Sequence, residues 1–116
     1  MANKVLPKDS NRTDIPTARG FVCHDASGTP KVSPYSLTST EVALVFPENA
    51  VELVIVNTSQ DIRIATTATY TGGGGTTEYA TVGAGTGTVI QMGEGGTIYM
   101  RAASTTATVD FYFRTL

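Results

Sequence analysis

Apolar and polar residues alternate with a period of two along the later two thirds of the chain, and no stretch repeats at the helical period. Thr106–Arg114 shows it most clearly. Ala107, Val109, Phe111 and Phe113 share one face, and Thr106, Thr108, Asp110, Tyr112 and Arg114 share the other. An alternation this long leaves little room for a helix. Val42–Phe46 is a shorter apolar run, stopped by the turn Pro47-Glu48-Asn49. In Val51–Asn57, Val51, Leu53 and Ile55 take one face, and Glu52, Val54 and Val56 the other. Apolar residues on both faces predict a strand covered on both sides. Ile62 and Ile64 alternate with Asp61 and Arg63 in a strand predicted to run to Tyr70 and to end at Gly72–Gly75. Glu78–Val82, Thr88–Met92 and Thr97–Arg101 are short strands separated by Gly-rich turns. Such spacing predicts an all-β fold, an antiparallel β-sandwich or jelly-roll-like barrel of about seven or eight strands. The predicted core is Leu44, Phe46, Leu53, Ile55, Ile62, Ile64, Ile98, Met100, Val109, Phe111 and Phe113.

Before residue 35 the pattern changes. Residues 1–34 hold Pro7, Pro16, Pro30 and Pro34, few apolar residues and no sustained period. Proline removes amide donors and holds its neighbours extended, so this segment reads as an N-terminal arm on a β-sandwich domain of residues 35–116. The arm carries Lys4, Lys8, Arg12, Arg19 and Lys31 against Asp9, Asp14 and Asp25, a net +2. The domain carries Arg63, Arg101 and Arg114 against seven carboxylates, a net −4. A basic extended arm on an acidic domain is the main asymmetry of the sequence.

Composition agrees with the pattern and removes several functions. Thr is the commonest residue, at 20 of 116, with 12 Gly and no Trp. β-Branched Thr and Val suit pleated strands, and Gly punctuates them. A net charge of −2 argues against nucleic-acid binding. No apolar run is long enough to span a membrane, and Met1-Ala2-Asn3-Lys4 is followed by no apolar signal region, which points to synthesis in a cytoplasm.

Candidate chemistry is sparse. His24, the only histidine, sits in Cys23-His24-Asp25 beside the only cysteine. Adjacent residues of an extended chain point to opposite sides, so thiol and imidazole would not meet. A zinc site needs three or four ligands, and no further Cys or His exists to supply them. The Gly-rich stretches Gly72–Gly75 and Gly83–Gly87 precede no helical pattern, and every lysine lies at or before Lys31, so they read as turns rather than phosphate loops. The expectation is therefore no catalysis, no metal and no cofactor. Tyr99, Arg101, Tyr112 and Arg114 fall on faces that alternation assigns outward, with Val54 and Val56. Tyr and Arg bury area at interfaces while keeping a polar end satisfied. These six are the candidate subunit-interface residues, and pairing of the last two strands would gather the Tyr–Arg set into one patch.

The stretches Ser36–Thr40 and Ala43–Asn57, with the ending Thr97–Ser104 and Thr108–Arg114, resemble small β-sandwich proteins of tailed-phage virions. The resemblance implies a head decoration, or cement, protein: homo-oligomeric, often trimeric, seated on the capsid exterior against the major capsid protein, with no catalytic residues. Under that reading Lys4, Lys8, Arg12, Arg19 and Phe21 of the arm are the capsid-contact candidates. The alternative expectation is a receptor- or carbohydrate-binding β-domain of a phage fibre or adhesin, using the tyrosine faces and Gly-rich loops.

Overall fold

The computed structural model describes residues 22–72 and 78–116. Their strands are β1 (Val22–His24), β2 (Pro30–Val32), β3 (Tyr35–Thr38), β4 (Val42–Val45), β5 (Ala50–Thr58), β6 (Ile62–Ala65), β7 (Ala80–Val82), β8 (Thr88–Gln91), β9 (Thr97–Ala102) and β10 (Thr106–Thr115). A six-stranded sheet has the order β2-β1-β4-β9-β6-β7, and a four-stranded sheet the order β3-β10-β5-β8. Every pairing is antiparallel, and the two sheets pack as a sandwich.

The pairing is nested. β6 pairs with β7, β5 with β8, β4 with β9 and β3 with β10. The chain doubles on itself at the β6–β7 connection, and the doubled ribbon rolls into two sheets. That is the strand order of a jelly roll. The β1–β2 hairpin extends the six-stranded sheet beyond β4, held there by the pair His24–Val45.

The core lies between the inner faces. Phe46 and Phe113 meet edge to face at 4.9 Å, and Phe111 meets Phe113 at 5.9 Å. Leu44, Leu53, Ile55, Ile62, Ile98, Met100 and Val109 are buried around them. Ile64, expected in the core, is only half-buried, because the sandwich is open beside it. Cys23, Leu37, Ala50, Val82, Ala102 and Ala107 complete the cluster.

Four further expectations change. The described residues form ten strands, where about seven or eight were expected. Residues 22–34, assigned to the arm, form β1, β2 and the turn into β3; residues 1–21 lie outside the described residues. Cys23 supplies the buried anchor of that hairpin, and two strands of three residues are too short to show a period. The strand from Ile62 ends at Ala65, and Tyr70–Gly72 forms a 3-10 turn. Finally, Val51 does not share the buried face of Leu53 and Ile55. Phe111 opposes Ile55 while Asp110 opposes Asn57, so Val56 is an extra residue, a β-bulge; Val51 is a second, between Glu52 and Ala50. Each bulge shifts the side-chain parity by one. Ala50, Leu53, Ile55 and Thr58 consequently all point inward, while Val56 stands exposed on a face expected to be covered.

Gly87 lies against the Val56 bulge. A β-carbon there would collide with the carbonyl oxygens of Ile55 and Val56. The Gly83–Gly87 connection is therefore a tight crossover between sheets, also held by the Gly85 amide donating to the Thr58 carbonyl at 2.8 Å.

Candidate interaction surfaces

The candidate interface residues divide between opposite sides of the molecule. β9 and β10 lie in different sheets, so the expected cross-strand patch of Tyr99, Arg101, Tyr112 and Arg114 does not form. The Ala103–Thr105 connection carries the chain from one sheet to the other. Tyr99 and Arg101 face outward from the six-stranded sheet. Val54, Val56, Tyr112 and Arg114 face outward from the four-stranded one.

The outer face of the four-stranded sheet has an apolar centre. Val54 sits between Val89 on β8 and Tyr112 on β10, with Val56 next along β5. One edge of this patch is polar. Arg114 Nε donates to Glu52 Oε1 at 2.7 Å, and Gln91 Nε2 donates to Glu52 Oε2 at 2.9 Å, so one carboxylate ties three strands together. The Arg114 and Gln91 hydrogen bonds hold the Glu52 carboxyl down to about 2.

The outer face of the six-stranded sheet has two halves. In one half Val22 pairs with Val32, His24 with Val45, Val45 with Thr97, and Tyr99 with Ala43 and Ala65. No Asp, Glu, Lys or Arg stands among these positions. The other half is charged and occupied. Arg63 and Arg101 oppose each other in the register, an arrangement that repels unless a partner intervenes. Here both donate to the Thr71 carbonyl, Arg101 Nε at 2.8 Å and Arg63 Nη1 at 3.3 Å. Glu41 accepts the Thr69 amide at 2.8 Å, the Thr71 amide at 3.3 Å and the Thr71 hydroxyl. Arg63 also lies over the Tyr79 ring at 4.6 Å. The Tyr70–Gly72 turn is thereby moored on the sheet, and Arg101 serves that mooring.

The exposures give the two apolar patches their weight: Val22 is 60% and Val32 43% exposed on one face, Val56 52% and Val89 54% on the other. Isolated exposed valines are ordinary, whereas neighbouring ones make each face a candidate contact surface.

Cys23, His24 and Asp25 separate as extended geometry requires. The Cys23 thiol is buried and donates to the Lys31 carbonyl at 3.5 Å, while His24 is exposed on the other side. Burial pushes the thiol up to about 12, despite the nearby Lys31 ammonium. Asp25 organises its own turn, accepting from Ser27 and Thr29, with Lys31 Nζ 3.5 Å away. No group of three His, Cys, Asp or Glu side chains placed to hold a metal occurs among the described residues. The capsid-contact candidates Lys4, Lys8, Arg12, Arg19 and Phe21 lie outside the described residues.

Comparison with protein-family models, with curated proteins and with solved structures found no match. The sequence did carry the signal for both patches, since Val54, Val56, Tyr99 and Tyr112 sit on outward faces of period-two runs. Val22, Val32 and Val89 were missed because single valines in three- and four-residue strands have no pattern to stand out from.

Proposed function

We propose that this chain is a structural protein of a tailed-phage virion, a decoration protein that binds the outer capsid shell and stabilises it. One observation supports this reading above others: two apolar patches on opposite outer faces of one small sandwich. A protein wedged between neighbours needs two contact surfaces facing apart, and an open sheet face suits a broad protein surface better than a small ligand. The jelly-roll strand order fits as well, although a fold by itself does not specify a function. In this reading one patch packs copies of the chain into a homo-oligomer, a trimer, and the other faces the major capsid protein. The basic arm, with Lys4, Lys8, Arg12, Arg19 and Phe21, adds contacts along the shell. Exposed charge pairs are each worth a fraction of a kcal/mol at physiological salt, so the apolar residues must share the work.

The test is co-sedimentation of the purified protein with empty capsid shells, beside a glycan panel. Saturable binding to shells and none to glycans is expected. Deleting residues 1–19 should weaken shell binding by about tenfold, about 1.4 kcal/mol. Equal binding by the truncated and intact proteins would remove the arm from the interface, and glycan binding without shell binding would overturn the reading.

A further inference from the structure

The outer face of the four-stranded sheet is built in cross-strand rows. Tyr112, Val54 and Val89 stand in register on β10, β5 and β8 and form an uncharged row. On one side of it lies the row of Arg114, Glu52 and Gln91, closed by the two hydrogen bonds to the Glu52 carboxylate. On the other side Asp110 opposes Asn57, with the bulged Val56 next to them. Side chains on one face of a strand repeat every two residues, about 6.8 Å, so the two polar rows stand about 14 Å apart with the apolar row midway. The face is also held in shape before any contact is made. Glu52 ties three strands together, and Gly87 lies against the carbonyls of Ile55 and Val56, which fixes the bulge. A surface already ordered loses little side-chain entropy on association.

We propose that a second copy of the chain packs on this face, apolar row against apolar row. The proposal rests on the reading that the chain self-associates, and it names the surface that does so. Charge selects the occupant. The face carries both signs, so a second copy finds its complement there in either sense. Related about an axis along the strands, the copies keep their rows level, and Arg114 of one faces the Glu52 row of the next. Turned end for end about the apolar row, they exchange the polar rows, and Arg114 faces Asp110. In both arrangements Tyr112, Val54 and Val89 meet the same row, as a self-complementary contact requires. A partner of one sign would meet a like charge wherever it met an opposite one. The six-stranded face lacks this property. Arg63 and Arg101 oppose each other, neither has an ion pair among the described residues, and the Glu41 carboxylate is committed to Thr69 and Thr71. Two copies meeting there would crowd arginines together, which destabilises a contact.

The experiment uses the full-length chain and reads its mass by light scattering across a dilution series. The intact chain should be oligomeric. Val56→Asp with Val89→Asp should weaken association by about a hundredfold or more, the scale of two lost anchor residues. Both valines are exposed, so the variant should remain folded by circular dichroism. The control, Val22→Asp with Val32→Asp, places the same charges on the six-stranded face and should leave association unchanged. The reverse result, equal weakening by both pairs, or an intact chain that is monomeric at every concentration overturns the proposal. A second measurement needs no substitution. In a mixture of isotope-labelled and unlabelled chains, nuclear Overhauser contacts should join the Val54, Val56 or Val89 methyls of one copy to the Tyr112 ring or valine methyls of another. Their absence, or contacts from these methyls only to residues 1–21 of the same copy, would overturn it. No readout involves capsid shells. An oligomer built on this face that ignores shells would sink the decoration reading and support this assignment, and a dimer built on it would sink only the trimer.

Discussion

A β-carbon at Gly87 has no room, since the Ile55 and Val56 carbonyls already occupy its place, and backbone cannot swing aside as a long side chain can. Gly87→Ala should therefore cost about 3 kcal/mol, in the tail of single-substitution effects. Gly83, in the same connection, meets only Thr86 Oγ1 at 3.8 Å, and Gly83→Ala should stay within about 0.5 kcal/mol of the parent. Urea unfolding of the two variants checks the contrast, and equal midpoints would remove the close approach from the account. Phe113 is the opposite case, a large side chain at the meeting point of Phe46 and Phe111. Phe113→Ala should cost about 3–5 kcal/mol by transfer and cavity terms together, measured in the same way.

Single hydroxyls matter where elements meet. β3 pairs with β10 from Thr106 to Val109, and the chain leaves β10 at Pro34, which has no amide to offer. The Ser33 hydroxyl continues the ladder. It accepts the buried Phe111 amide at 3.0 Å and donates to Asp110 Oδ1 at 2.7 Å. This links the segment after the β1–β2 hairpin to the central strand of the opposite sheet. Ser33→Ala should destabilise by about 1–3 kcal/mol, the cost of leaving a buried donor unmade. Amide hydrogen exchange should locate the effect at Phe111 and along β3 rather than at the remote β7 edge.

At the scale of the molecule, two properties follow from topology and charge. Nested pairing joins β3 to β10 across nearly the whole described chain. Non-local contacts of this kind slow folding, and refolding in the range of about milliseconds to seconds is expected by stopped-flow fluorescence of the tyrosines. The pH dependence follows from Glu52 and Asp25. Glu52 is held down to about 2 by Arg114 and Gln91; Asp25 is held well below the usual range by the Ser27 hydroxyl and the Thr29 and Ser27 amides. Below their ordinary values, near 4, the unfolded chain takes up protons that the folded chain still refuses. Their stabilisation is thus present at neutral pH and is lost as pH falls from about 5 toward 2. Glu52→Gln should flatten part of that acid slope in urea midpoints measured from neutral to acid pH, and an unchanged slope would exclude Glu52 from it. The proposed trimer belongs to this scale as well. Light scattering should give three times the 12.1 kDa chain mass, and Val56→Asp with Val89→Asp tests the four-stranded face as the contact.

The class of fold was legible because a strand buried on one face must alternate, and β10 and β9 do so without interruption. The aromatic core was legible for the same reason, since large apolar side chains at alternate positions have nowhere else to go. β1, β2 and β3 were not, because strands of three or four residues broken by Pro30, Lys31 and Pro34 hold too few positions to display a period. The parity of β5 was hidden because a bulge is defined by the partner strand, and local alternation carries no record of the partner. Which sheet each strand joins was hidden too, and with it the separation of Tyr99 and Arg101 from Tyr112 and Arg114. Only nested long-range pairing decides that, since hydrogen bonds between strands are backbone contacts that every residue but proline can make. In β9 and β10 the sequence by itself determined which side chains face outward; the tertiary structure decided the parity of β5 and which outward residues are neighbours.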